Sequence, residues 1–322
     1  MTKEEILVLF SKISANLDDD FQLLLSEKPL LAHYTSTEAL ESILRNNEIW
    51  FSNPLFMNDL EEMRLGMRIG EDLITESEEL AKACGSEVRL ENFQYSFSHY
   101  FSEFELQHAF DVYVFCLTEH DQDDNDGLLS MWRGYGRNGD GAALVFNTSF
   151  VVEQAASPLF ITKVRYVSAE KRMVWLKNLL DRYCEAMHNS FIDDDMLYLV
   201  AFQFFQVVKV FALIFKYKGF LEEREWRIIY MPDRDPQGHL KDRFGYVIGS
   251  RGVEPKLKLK LEPLPTDSVQ TWTFESILDR IILGPSVSSP LAQSSVQRML
   301  EKIGKPEFRE KVVPSRIPLR PT

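Results

Sequence analysis

The segment L-A-H-Y-T-S, residues 31–36, opens the stretch that decides the fold. It runs through a short helical pattern to I-W-F-S-N-P-L-F-M-N-D-L-E-E, residues 49–62. Leu30, Leu31, Ile49, Trp50 and Phe51 suit two short buried strands, with His33, Tyr34, Asn58, Asp59 and Glu61 at their ends. Polar groups at the ends of buried strands are where sites on rigid scaffolds are often built. Each also has a plain structural account. His33 suits a hydrogen-bonded core histidine, and Asn58 with Glu61 has the spacing of a helix capping box.

Working outward, 322 residues suit one domain enlarged by insertions, or two. A hydrophobic content of 45% with 23 Phe describes a filled core rather than a disordered chain. The net charge of −13, with no basic stripe to offset it, argues against a general nucleic-acid binder. Cys84, Cys116 and Cys184 make neither a disulfide framework nor a zinc spacing. With no signal-like N-terminus, they point to the reducing cytoplasm. The apolar run 196–215 has the length of a membrane span. Gln203, Gln206 and Lys209 interrupt it, so it reads as a buried helix of a soluble core.

In order, the pattern predicts an amphipathic helix over 2–28 opened by a Thr2–Glu5 capping box, and a helix over 37–46 stopped by Asn46-Asn47. Two helices split near Gly85 follow over 58–110, then a strand over 111–118. The acidic loop D-Q-D-D-N-D-G, residues 121–127, lacks the terminal Glu of a calcium-binding loop and reads as solvated. A second dense cluster, S-M-W-R-G-Y-G-R-N-G-D-G, residues 130–141, precedes a strand over 142–146. Its glycines follow a helical turn instead of opening one, so they are no dinucleotide fingerprint and suit a hairpin or turn.

The third cluster, L-E-E-R-E-W-R-I-I-Y, residues 221–230, sets Glu223 and Glu225 two apart at the mouth of a strand, with Trp226 and Ile228 opposite. A surface charge run is its plain alternative. Downstream, V-E-P-K-L-K-L-K-L-E reads as a lysine-guarded edge strand, I-L-D-R-I-I-L-G-P as a buried strand, and 291–303 as a helix. Together these give an α+β domain over 1–322, with helical insertions about 58–110 and 169–216.

The ordered set H-Y-T-S, N-D-L-E, M-W-R-G-Y-G, E-R-E-W-R and I-I-L-G-P resembles a widespread bacterial family of uncharacterised proteins, over roughly residues 31–285. The order His, aromatic, Glu also resembles the His-Tyr-Glu group of ADP-ribosyltransferases. That resemblance implies two small, mostly antiparallel sheets forming a cleft. It implies NAD as co-substrate with no metal, and His33 on a ribose hydroxyl. It further implies Tyr135 stacked on nicotinamide, and Glu225 on the nicotinamide ribose with Glu223 completing a Glu-x-Glu motif. Tyr34, Thr35, Asn58, Glu61, Trp132, Arg133 and Arg227 fill out the expected cofactor-binding set. The acceptor would be a protein, a nucleic acid, a small molecule or water. Bacterial enzymes of this kind often act as toxins or phage-defence effectors.

The chemistry is coherent. Loss of nicotinamide builds positive charge on the sugar, as in glycosidases, and a fixed carboxylate stabilises that transition state. An aromatic face suits the cationic ring, and Arg133, Arg137 or Arg227 suits the pyrophosphate. A second function class remains open at this point: a metal-dependent hydrolase or nuclease using His33, Asp59, Glu61, Glu223 and Glu225 as hard ligands. A third is a non-catalytic module that senses a nucleotide or a protein.

Overall fold

The computed structural model describes residues 1–14, 19–57, 60–104, 111–151, 157–249, 252–261 and 273–319. In chain order the helices are α1 (Lys3–Ser14), α2 (Asp19–Glu27), α3 (Thr37–Asn46), α4 (Leu60–Glu76), α5 (Glu78–Cys84), α6 (Glu87–Glu103), α7 (Leu129–Gly134), α8 (Ala169–His188), α9 (Leu197–Ile214), α10 (Phe274–Ile277) and α11 (Pro290–Lys302). The strands are β1 (Leu30–Thr35), β2 (Glu48–Ser52), β3 (Tyr113–His120), β4 (Ala142–Asn147), β5 (Leu159–Lys163), β6 (Arg165–Val167), β7 (Phe215–Tyr217), β8 (Glu225–Tyr230), β9 (Phe244–Gly249), β10 (Gly252–Lys260), β11 (Leu278–Leu283) and β12 (Val312–Pro314).

The chain divides into two compact units. One gathers residues 1–20, 53–112 and 164–221, and the other gathers 21–52, 113–163 and 222–322. The first is mostly helical and is built on α9. Its apolar face is nearly all-round, so most of its side chains are buried. By length and composition the span Asp194–Ile214 suits a membrane crossing, yet 72% of an 18-residue apolar window within it is buried inside the protein. Phe97 of α6 packs on Phe204 and Phe205 of α9, with ring centroids 6.2 and 5.9 Å apart. Gly66 of α4 lets two backbones approach, because a Cβ there would lie 2.7 Å from Ala212 Cα.

The second unit holds a forked sheet. Among the described residues its strands run β12-β11-β4-β1-β3-β2-β10-β9, with β8 pairing on β3 and β5 on β8. Every pairing in it is antiparallel except β11–β12. The fork lies along β3. Its last residues pair with β1, from Leu30–His120 to Ala32–Thr118, and β2 joins the same edge at Ser52–Val114. Leu31, Phe51, Phe115, Leu117, Trp226 and Leu257 face the main core, which α3 and α11 help to fill. A smaller cluster on the other face of β1 and β4 gathers Ala32, Tyr34, Trp132, Ala143 and Val145.

Several expectations need correction. The helix predicted over 2–28 is helical over the described stretches Lys3–Ser14 and Asp19–Glu27, residues 15–18 lying outside the described residues, and its Thr2–Glu5 box forms, with hydrogen bonds of 2.8 and 3.2 Å. Among the described residues the block after residue 58 holds three helices instead of two, with Gly85 in the left-handed cap of α5. In place of the two small sheets expected, the described residues form one forked sheet of ten strands and the two-stranded β6–β7 sheet. The lysine-bearing strand β10 is not an edge, since it lies between β2 and β9.

Candidate functional site

Strand alternation sorts the β8 side chains. Glu225 opposes Thr118 and Arg227 opposes Cys116, while Trp226 opposes Leu117 and Ile228 opposes Phe115 on the core face. Glu225 and Arg227 therefore share one face and meet there. The Arg227 Nε donates to Glu225 Oε1 at 2.8 Å and its Nη2 to Oε2 at 3.0 Å, with both side chains only 6% exposed. A buried carboxylate needs such a partner, and the planar guanidinium fork supplies it.

Just upstream, Arg224 adopts a left-handed conformation, φ 43°, unusual for a residue with a side chain. Its carbonyl accepts from the Glu119 N–H at 2.9 Å, and its guanidinium forks onto the Asp121 carboxylate at 3.2–3.4 Å. The bend ends a 3-10 turn over Lys218–Glu223, and Glu223 accepts a 3.1 Å hydrogen bond from the phenol of Tyr135. Tyr135 is 40% exposed at the end of α7.

What positions Tyr135 is the loop that leads into α7. Tyr34 Oη accepts from the Leu128 N–H at 2.9 Å, and its ring meets Trp132 edge-on, centroids 4.8 Å apart. Burial raises the Tyr34 pKa to about 12. Trp132 Nε1 donates to Asp126 O, and Arg280 donates to the carbonyls of Gln122 and Asp124 and to Asn125 Oδ1. Ser315 also donates to Asp126 O. The acidic loop is exposed at Asp121, Gln122, Asp123 and Asn125, as expected of a solvated loop, and is wired as a buckle as well, with the Asp124 carboxylate accepting from the N–H groups of Asp126 and Gly127. The glycine run has a steric reason as well. A Cβ on Gly141 would lie 2.1 Å from the Thr35 carbonyl, where β4 meets β1.

His33 is elsewhere. Ala32 opposes Thr118, which opposes Glu225, so Ala32 and Glu225 share a face and His33 takes the opposite one. Its ring stacks on Phe115 at 4.4 Å, and its Nδ1 lies 3.0 Å from Cys116 O. A carbonyl only accepts, so Nδ1 carries the hydrogen and Nε2 presents a lone pair. Burial holds the His33 pKa below its ordinary value despite that bond. On the same face, Trp226 Nε1 and Lys163 Nζ both donate to Glu119 Oε2, at 3.2 and 2.6 Å. Burial pushes the Glu119 carboxyl up, and these two donors outweigh it and bring it below the ordinary range.

The fold thus brings Tyr135 to Glu223, sets Glu225 two residues on, and turns His33 away from Glu225. Of the expected cofactor set, Tyr34 and Trp132 are spent on packing and on anchoring α7, and Arg227 on Glu225. Thr35 ends β1 partly buried, and Arg133 is exposed in the last turn of α7. Asn58 lies outside the described residues, as do Asp59 and the side chain of Glu61. Sequence reading missed Arg224, Asp121, Glu119, Lys163 and Arg280. Only the Glu-x-Arg spacing of Glu225 and Arg227 was a visible signal, because the others act across strands far apart in sequence. Among the described residues, no group of three His, Cys, Asp or Glu is placed to hold a metal ion.

A family model described as a protein of unknown function (DUF2971) matches residues 131–228, from the second half of α7 into β8. This fits the expected likeness to an uncharacterised family over part of the anticipated span. The matched stretch carries Tyr135, Glu223, Glu225 and Arg227 but not His33. No curated protein and no solved structure matches the chain, and no likeness to ADP-ribosyltransferases emerges from these comparisons.

Proposed function

We propose that the chain is an NAD-consuming enzyme, an ADP-ribosyltransferase or NAD glycohydrolase, working at the mouth of β8. The observation that carries this reading is the Tyr135–Glu223 hydrogen bond, 3.1 Å, beside a buried Glu225. It supports a limb made of a half-exposed aromatic face with the Glu223 carboxylate at its phenol, and Glu225 two residues on, closed on Arg227. In this scheme the Tyr135 ring stacks on the nicotinamide, and Glu223 fixes that ring. Glu225, closed on Arg227 and 6% exposed, meets the nicotinamide ribose when that pair opens. Bond cleavage releases neutral nicotinamide and leaves positive charge on the sugar, which the carboxylate stabilises more than the ground state.

No contact is assigned to His33, whose side chain is turned to the other face. An ADP-ribosyltransferase-like architecture for the forked antiparallel sheet, and a toxin or phage-defence role, belong to the same proposal. The test is release of free nicotinamide from NAD by the purified chain, with and without a metal chelator. Chelator-insensitive release supports the reading. No release, together with a chelator-sensitive phosphodiesterase activity, supports a metal-dependent hydrolase instead.

A further inference from the structure

With the alternating lysines one strand in from the rim, the sheet ends on β9, F-G-Y-V-I-G, which pairs with β10 alone among the described residues. Natural edge strands are kept single by charges, prolines or bulges. β9 has no charged residue and no proline, and its six pairs with β10 run without a register shift. Tyr246 is 61% exposed, Ile248 73%, and Val253, opposite Ile248, 62%. They lie on the face where Phe244 and Leu257 join the core, so the core's apolar surface continues into solvent along this hairpin. Two exposed cations, Lys241 and Arg243, flank the exposed Asp242 immediately before the strand and leave this end with one net positive charge. A second copy of β9 carries no acidic residue within the strand, and paired antiparallel it sets its own Asp242 at the far end from them.

We infer that the β9 edge docks an extended segment of another protein as an added strand. The segment sets apolar side chains at alternate positions against Tyr246 and Ile248, and acidic residues at the end that meets Lys241 and Arg243. Backbone pairing supplies affinity, and the alternate side chains with the charged end supply selectivity.

Two labelled synthetic peptides test this on the full chain. Each alternates Val and Thr, one ending in paired glutamates and the other in paired lysines. The inference expects the glutamate-ended peptide to bind about tenfold tighter. It also expects Ile248→Ser to weaken that binding about tenfold, and the double variant Lys241→Glu, Arg243→Glu to prefer the lysine-ended peptide. Equal binding of both peptides, no binding, or binding indifferent to Ile248→Ser overturns it. So does self-association of the chain that Ile248→Ser abolishes, because a second copy then fills the edge. All three positions are exposed, and circular dichroism confirms that the variants fold.

Discussion

Tyr135 and Glu223, 88 residues apart in sequence, are joined by a phenol-to-carboxylate hydrogen bond of 3.1 Å. It ties the end of α7 to the turn that precedes β8. Because Tyr135 is 40% exposed, water can replace that bond. Tyr135→Phe is therefore expected to change unfolding free energy by no more than ~1 kcal/mol in urea titration. A larger loss would mean that the bond holds the fold rather than a site.

The Glu225–Arg227 pair behaves differently because it is out of water. Arg227→Met leaves a carboxylate buried without its guanidinium and is expected to cost about 3–5 kcal/mol. Adding Glu225→Leu to that variant should recover most of the loss. Chemical denaturation of the two variants and the double mutant decides this. Additive losses would contradict a closed pair.

Acid should weaken the protein through two histidines. Burial lowers the folded pKa of His33 and of His120 below the ordinary 6.5, outweighing their bonds to Cys116 O and Asp124 O. Between the folded and unfolded values the unfolded chain binds protons that the native one does not. Stability is therefore complete above about pH 6.5 and falls as pH drops below it. Melting temperature measured from pH 7.5 to 5 should show that decline. His33→Gln and His120→Gln should each flatten part of it.

Tyr34 gives a spectroscopic check on the buckle under α7. With its pKa raised to about 12, its phenol should stay protonated well past the ordinary tyrosine value of about 10. Ultraviolet difference titration of wild type against Tyr34→Phe isolates that signal. Tyr34→Phe should also destabilise by about 1–2 kcal/mol, since the Leu128 N–H loses its acceptor.

Much of the scaffold was legible. Helix α3 runs over the predicted residues 37–46, capped by Ser36 and by left-handed Asn47, because its apolar spacing and caps agree. The buried α9 was legible from its unbroken apolar run, although the Asp expected at its N-cap is not there: Met196 holds that position with no side-chain cap. The site was harder. His33 and Glu225 look convergent as residue types, yet which face each takes depends on pairings through Ala32, Thr118 and β3, which no local pattern encodes. Glu223 and Glu225 read as sharing a strand face by spacing, but left-handed Arg224 between them breaks the alternation. The lysines of β10 suggested an edge by composition, while strand order is a long-range property.

The central claim is that the Tyr135–Glu223–Glu225 limb consumes NAD. The most direct measurement is nicotinamide release from NAD by wild type, Tyr135→Ala and Glu223→Gln, all at matched folding. The account predicts measurable release by wild type and a loss of about a hundredfold or more in each variant. Release that survives both substitutions, or that only His33→Ala removes, would contradict it.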